Sequence, residues 1–301
     1  HDKAGRRPQL RVAAILTVIE EPAKPGSFRP PYIGDDKTIE HHVDDLHFDR
    51  LPRLKPVDGA PMPAQVASRL AKPWLEHVLS WIGRYVHPSD NMPDYGRDMA
   101  YTVGNAALTL LLDYDDEEKR PLLVNFVQYG IDLHAIAEAG GTWMDLGGHM
   151  HGRKLVILMS GLVLDDAGML AIGKTMANRF QEDRQTFYVT EKDVGRKLYH
   201  ADGRPREEYR KEDVGKAEWG EQHTKQPERD GRNWNAPYRH IVSPSIFAHV
   251  LTARIVDLKE RWNHDALFDY IDRYWEKQTE GDKDGGPIPG WHRRMWQAYR
   301  Q

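Results

Sequence analysis

An almost wholly apolar segment, Leu155 to Leu164, constrains the fold of this chain more than any other feature. Only a protein interior suits ten successive residues that offer no polar face. Directly before it lies a polar, glycine-rich stretch, Gly140 to Lys154, with two Gly-Gly pairs, two histidines and an Arg-Lys pair. Such a stretch, named here the Gly-His loop, is typical of a binding or catalytic site, since glycine lets the backbone approach a ligand. The alternative is a helix–helix connection whose basic residues are solvated.

Composition excludes several classes of function. The chain has 301 residues, enough for a sizeable core, of which 40% are hydrophobic and 29% charged. A net charge of −4 argues against a nucleic-acid partner. No apolar run reaches the roughly 18–20 residues of a membrane helix, so no membrane partner is expected. The chain has no cysteine, which rules out disulfides and thiolate chemistry.

Apolar residues recur at three- and four-residue steps over several segments, which predicts a mainly α protein. The predicted helices are Gln65 to Tyr85, Asp94 to Leu112, Asp115 to Gly140, Lys154 to Leu164, Asp165 or Asp166 to about Phe180, Ser243 or Pro244 to Leu258, Asp265 to Glu276, and the tail from Trp291. Two segments rich in β-branched and aromatic residues, Leu10 to Ile19 and Thr186 to Thr190, are predicted strands.

The predicted helices favour an (α/α) toroid of antiparallel helical hairpins, with an open helical bundle as the competing architecture. Residues 1–60 are predicted to be an extended segment packed on the main domain. Residues 61–301 form the helical catalytic domain, with a long polar insertion at 181–237, and minor strands are expected in both the N-terminal segment and the insertion. His41, His42, Asp44 and Asp45 resemble metal ligands by type, but their spacing matches no standard site, so neither a metal nor another cofactor is predicted.

A second group of polar residues closes the insertion. Its members are Arg232, Asn233, Asn235, Tyr238, Arg239 and His240. Arginine presents a planar fork that matches a carboxylate. Tyrosine can act as general acid or base where neighbouring cations lower its pKa from about 10. The group suits an anionic, hydroxyl-rich ligand, and the alternative is a charged surface loop with a tyrosine packed at a helix start.

These stretches resemble the polysaccharide lyases with α/α-toroid catalytic domains, especially alginate and glucuronan lyases, with polysaccharide lyase family 38 the nearest. The resemblance implies a tyrosine that moves the proton, with an arginine a few residues before it. It also implies an asparagine and a histidine that neutralise the uronate carboxylate. Arg232 and Tyr238 match the first pair, His149 or His151 the histidine, and Asn105 the asparagine.

The chain departs from that pattern in two respects. Many such lyases carry asparagine and histidine side by side. The only adjacent pair in that order here, Asn263–His264, follows the tyrosine and is interpreted as a helix cap. The chain is also short for a complete toroid.

The expected function is cleavage of a uronic-acid polysaccharide, alginate-like or glucuronan-like, by β-elimination. Candidate substrate contacts, cations for the carboxylates and aromatic or polar groups for the sugars, are Arg153, Lys154, Arg239, Trp219, His223, Trp234, Tyr95 and Arg97, with Trp143 as a further stacking residue. The expected partner is an acidic polysaccharide, and the sequence does not predict an oligomeric state. Because the sequence starts at His1 with no signal peptide, we interpret the N terminus as processed and expect a periplasmic or secreted protein.

Two other functions fit the same residues. A glycoside hydrolase on a similar toroid needs two carboxylates flanking the bond, with Asp98, Asp145, Glu221 and Asp230 as candidates. A non-catalytic glycan-binding protein is the third interpretation.

Overall fold

The computed structural model describes residues 12–75, 96–144, 148, 150–197, 199, 203–205, 207–221, 226–227, 237–281 and 288–300. Within these ranges the protein is mainly helical, as predicted. The helices are α1 (Pro63–Leu70), α2 (Gly96–Leu110), α3 (Asp116–Glu138), α4 (Lys154–Leu164), α5 (Ala167–Thr175), α6 (Gln181–Gln185), α7 (Pro237–Ile255), α8 (Lys259–Trp262), α9 (Asp265–Gly281) and α10 (Gly290–Tyr299). None of these described helices is long and apolar enough to cross a membrane.

The core is built around α4, whose predicted bounds are confirmed. All but one of its residues are buried, because an apolar helix without a polar face needs neighbours on every side. It packs on both helices adjacent to it in the chain, α3 and α5, while α2 packs mainly on α7. The α3–α4 crossing is so close that a Cβ added to Gly130 would lie 2.1 Å from Ser160 Oγ.

Acidic residues stabilise the first turns of α3 and α5. The Asp115 N–H donates to the Glu118 carboxylate at 3.2 Å, which ties the first turn of α3 to the residue before it. Asp166 is the N-cap of α5, and its carboxylate accepts from the Met169 N–H at 2.8 Å. The predicted helices that correspond to α3, α9 and α10 are likewise confirmed, with ends that differ by a few residues.

Three predictions of local structure are wrong. The helix predicted from Gln65 to Tyr85 ends at Leu70, since Pro73 disfavours helical backbone in the residue before it; residues 76–85 lie outside the described ranges. Helix α7 starts at Pro237 and continues through Pro244, where the prediction placed its start. Tertiary packing tolerates the lost hydrogen bond there, since residues 242–253 are all buried. Residues 12–19 form no strand and have no neighbouring strand to pair with, and Leu16 is 87% exposed.

The insertion contains a small antiparallel sheet of β1 (Thr186–Tyr188), β2 (Ala217–Glu221) and β3 (Gln226–Pro227), in the order β1-β2-β3. The predicted strand at 186–190 is confirmed for its first three residues. Thr186 pairs with Trp219, and β2 packs on α9. This part of the insertion belongs to the core, because Ala217, Glu218 and Trp219 are all buried.

The N-terminal segment contributes apolar residues to the same core. Phe28, Leu46 and Leu51 are buried within the main hydrophobic cluster. Residues 12–60 contain no described strand, and the β structure expected there is limited to two isolated bridges, Ser27 with His42 and Leu54 with Leu112.

Candidate functional site

A buried group of polar side chains lies where the end of the Gly-His loop meets α6 and β2. We call it the polar cluster; its members are His151, Arg153, Lys154, Gln181, Glu182, Asp183 and Gln185. A protein interior accepts such groups only when they are hydrogen-bonded or paired with opposite charge.

Two glutamines one turn apart on α6 hold the Gly-His loop. The Met150 N–H donates to Gln181 Oε1 at 2.7 Å, and Gln181 Nε2 donates to Gln185 Oε1 at 3.1 Å. The same oxygen of Gln185 lies 2.9 Å from His151 Nε2. Residues four apart in a helix share a face, so α6 presents both amides to the loop.

The two cations of the loop are interior residues, which corrects the expectation that they contact substrate. Lys154 Nζ forms an ion pair with Asp183 and donates to the Trp262 carbonyl at 2.6 Å. Trp262 Nε1 donates to the other oxygen of Asp183 at 2.8 Å. Arg153, also buried, donates to the His151 carbonyl at 2.6 Å. These positive charges stabilise the protein's own groups and are not displayed to solvent.

Glu182 is the least satisfied member of the polar cluster. The side chain is fully buried, and neither carboxylate oxygen accepts a hydrogen bond from another described residue. Burial raises the pKa of Glu182 to about 7, and the neighbouring Asp183 carboxylate adds to the shift. A hydrogen bond from its own backbone N–H opposes the shift, as do the charges of Lys154 and Arg153. This carboxyl therefore titrates near neutral pH.

Two tryptophans that the sequence suggested as sugar platforms are core residues. Trp219 is 1% exposed, and its ring lies between His151 and Tyr270, with centroid distances of 5.7 and 5.3 Å. Trp143 is fully buried and stacks on Phe180 at 5.2 Å. Neither ring has a free face for a sugar, so their predicted stacking roles are wrong.

Asn105 lies in the middle of α2 and is half-buried. Its side-chain oxygen is 2.7 Å from Nε2 of His292, a buried residue of α10. Burial lowers the pKa of His292 to about 3, with a further contribution from His249. Burial also lowers the pKa of His249, on α7, to about 4. Both imidazoles are therefore neutral at physiological pH, and Asn105 is held by a neutral partner.

The Gly-His loop packs directly against α7. Gly152 has a φ of +91°, and a Cβ at this position would lie 2.8 Å from Ala100 Cα and 3.2 Å from His249 Cε1. Glycine is required here by both the backbone conformation and the close approach. Tyr238 lies in the first turn of the same helix, eleven residues before His249, which is about 16 Å along the helix axis.

The remaining predicted site residues differ in how much of each is described. Arg97 lies in the first turn of α2, where its N–H donates to the Gly148 carbonyl at 2.8 Å and its side chain pairs with Asp98. Tyr238 and Arg239 belong to α7, but only their backbone is described. Five residues lie outside the described ranges: His149, Arg232, His223, Trp234 and Tyr95. Among the candidate hydrolase carboxylates, Asp98 is the one with a described side chain.

The histidines and aspartates near residue 42 have structural roles. His42 caps a short 3-10 turn: Nδ1 accepts from the Asp44 N–H at 3.1 Å, and Nε2 lies 2.7 Å from the Pro25 carbonyl. His41 Nε2 pairs with Asp166 at 3.4 Å, and that contact raises the pKa of His41. Across the described part of the chain, no group of three or more potential ligands could hold a metal.

Sequence reasoning missed α6 and the two neutral histidines. The composition of α6 is typical of an exposed, charged helix. The burial of Gln181, Glu182, Asp183 and Gln185 depends on partners that are distant in sequence. The signal available for His249 was a single histidine within an apolar helix, since a polar residue at a core position is uncommon and informative.

Comparison with known proteins identifies no relative: no family model, curated protein or solved structure matches this chain.

Proposed function

We propose that this protein is a polysaccharide lyase that cleaves a uronic-acid-containing polymer by β-elimination. The observation that carries the proposal is that the Gly-His loop contacts both elements that flank residues 222–236. On one side, Trp219 of β2 stacks on His151. On the other side, His249 of α7, the helix that carries Tyr238, packs on Gly152. The described elements on both sides of residues 222–236 therefore contact the Gly-His loop, which supports the proposal.

The scaffold we propose is an α/α toroid. The successive helices α3, α4 and α5 pack on one another, and α2 packs on α7 across a long stretch of sequence. Both kinds of contact are expected of helical hairpins arranged in a ring, and the mainly helical fold supports this arrangement.

In the proposed reaction Tyr238 removes the proton from C5 of the uronate. Tyr238 acts as the phenolate and becomes neutral as it takes this proton. The electron pair forms a double bond between C4 and C5 while the bond from C4 to the glycosidic oxygen breaks, and that oxygen takes the proton back from Tyr238, which restores the phenolate. Arg232 and the Asn105 amide stabilise the negative charge that develops on the carboxylate. Because Tyr238 and the Gly152 contact are about 16 Å apart along α7, a polymer spans this surface better than a single sugar.

The test is a panel of polyuronates assayed by the ultraviolet absorbance of the unsaturated product. Tyr238→Phe should lower turnover by about 10²–10⁴-fold, the contribution expected of a general acid or base. Tyr199→Phe is the matched control, since Tyr199 is an exposed tyrosine elsewhere in the insertion and should keep full activity.

Other outcomes distinguish the alternatives. New reducing ends without the ultraviolet band would replace the lyase by a glycoside hydrolase. Binding without cleavage of any polymer would favour a glycan-binding protein. Full activity of Tyr238→Phe would remove this tyrosine from the mechanism.

A further inference from the structure

We infer that Gln181 and Gln185 are positioning residues that hold the Gly-His loop and fix His151 as the neutral tautomer protonated at Nε2. The catalytic consequence rests on the proposed lyase function. The tautomer itself is a property of the folded protein and can be measured without substrate.

The chain of hydrogen bonds begins at a group whose role is certain. A backbone N–H can only donate, so the side-chain atom of Gln181 that lies 2.7 Å from the Met150 nitrogen is its oxygen. The NH₂ group of Gln181 therefore faces Gln185, and the Gln185 atom at 3.1 Å must be the oxygen that accepts from it. The orientation of both amides follows from one backbone donor.

The same argument places the proton on His151. Gln185 Oε1 lies 2.9 Å from His151 Nε2, and because this oxygen only accepts, the nitrogen must carry the hydrogen. The imidazole is fully buried, where the neutral form costs less than the charged form. His151 is thus neutral, with its lone pair on Nδ1.

The hydrogen bonds from Gln181 and Gln185, called here the clamp, matter because they help to fix the Gly-His loop against its neighbouring helices. The Gly148 carbonyl accepts a hydrogen bond from the first turn of α2. Met150 and His151 are hydrogen-bonded to α6, and Gly152 packs on Ala100 and His249. The His151 ring is also aligned with Trp219, at an interplanar angle of 23°. With Gly148 and residues 150–152 held in this way, this end of the loop has one position relative to α7, which precise catalysis requires.

The decisive measurement is nitrogen NMR of the full chain with labelled histidine, at neutral pH and without substrate. In the wild-type protein, His151 should show a protonated Nε2 and an unprotonated Nδ1. Gln185→Glu keeps the shape of the side chain but puts a carboxylate against Nε2, so His151 should become doubly protonated at neutral pH. Gln185→Met removes the acceptor and should abolish the single-tautomer spectrum.

Gln128→Met is the matched control. Gln128 lies on α3 and also makes two hydrogen bonds, both to the backbone of Arg29 in the N-terminal segment. Replacing Gln128 should therefore leave the His151 spectrum unchanged. If the lyase proposal is right, Gln185→Met should also lower kcat by up to roughly 100-fold with little change in KM, because the Gly-His loop loses its fixed position against α7.

A protonated Nδ1 in the wild-type protein, or an unchanged His151 spectrum in Gln185→Glu, would overturn the inference. If Gln185→Met fails to fold, the wild-type and Gln185→Glu spectra still decide it. The expected spectra without activity on any polyuronate would support the clamp and contradict the lyase. Activity on a polyuronate together with the opposite tautomer of His151 would support the lyase and contradict the clamp.

Discussion

Glu182 is a carboxyl group enclosed by the protein, and no other described residue donates a hydrogen bond to either of its oxygens. Its folded-state pKa of about 7 lies above the ordinary value of 4.5, because burial penalises the charged form. In the unfolded chain the group ionises near pH 4.5. Between these two values the folded protein holds a proton that the unfolded chain has lost, so stability falls as pH rises through this window.

We predict that Glu182→Gln removes this pH dependence. A shift of this size corresponds to roughly 3 kcal/mol between the ends of the window, since one pKa unit is worth about 1.4 kcal/mol. The free energy of unfolding of the wild-type protein, measured with urea, should therefore decrease relative to that of the variant between pH 4.5 and pH 7. Glu117→Gln makes the same chemical change at an exposed site of α3 and should follow the wild type. Equal pH profiles for wild type and Glu182→Gln would contradict the assigned burial cost.

At the scale of elements, the junction of α2, α7 and the Gly-His loop depends on Gly152. Two glycines of the loop have nearly the same positive φ, +91° at Gly152 and +92° at Gly140. Their surroundings differ, since a Cβ at Gly140 meets nothing within 4 Å, whereas one at Gly152 meets Ala100 and His249. The pair therefore separates backbone strain from packing.

We expect Gly140→Ala to cost about 1–2 kcal/mol of unfolding free energy, the penalty for an L-residue in left-handed backbone. Gly152→Ala carries the same penalty and must also push α2 and α7 apart, so it should be clearly more destabilising. Chemical denaturation of both variants gives the difference. If both substitutions cost the same, the loop is not tightly packed on α7.

The local sequence pattern predicts a helix of this chain well where the helix's own residues determine it. Helices α3 and α4 follow from acidic caps and unbroken apolar faces. The helix ends that were predicted wrongly, at Pro73 and Pro244, show the limit of local prediction. Helix α1 ends just before Pro73, whereas α7 continues through Pro244 because its packing in the core outweighs the hydrogen bond lost at that proline. The candidate site was harder to predict, because Lys154 and Gln185 are buried only through partners such as Trp262 and Met150 that no local pattern identifies.

On the scale of the whole molecule, an ion pair between a partly exposed arginine and a buried aspartate ties the N-terminal segment to the helical body. Arg29 binds Asp132 of α3 through both nitrogens, at 2.9 and 2.5 Å, and the Tyr32 N–H adds a bond at 3.2 Å. The Arg29 backbone exchanges two hydrogen bonds with the Gln128 amide. Burial raises the pKa of Asp132, and Arg29 opposes that shift, so the arginine stabilises the charged carboxylate.

Arg29→Ala should therefore leave a buried carboxylate unpaired and cost on the order of 3 kcal/mol of unfolding free energy. Arg53→Ala is the control: Arg53 bridges Asp113 and Asp116 from a half-exposed position, where loss of such a pair costs about 0–1 kcal/mol.

Because Phe28, Leu46 and Leu51 share the main core, the wild-type segment should unfold together with the helices. Limited proteolysis should cut residues 12–60 earlier in Arg29→Ala than in Arg53→Ala, and Arg29→Met combined with Asp132→Leu should recover stability by removing both charges. Equal stability and equal proteolysis of the two single variants would show that the segment is held by its apolar contacts alone.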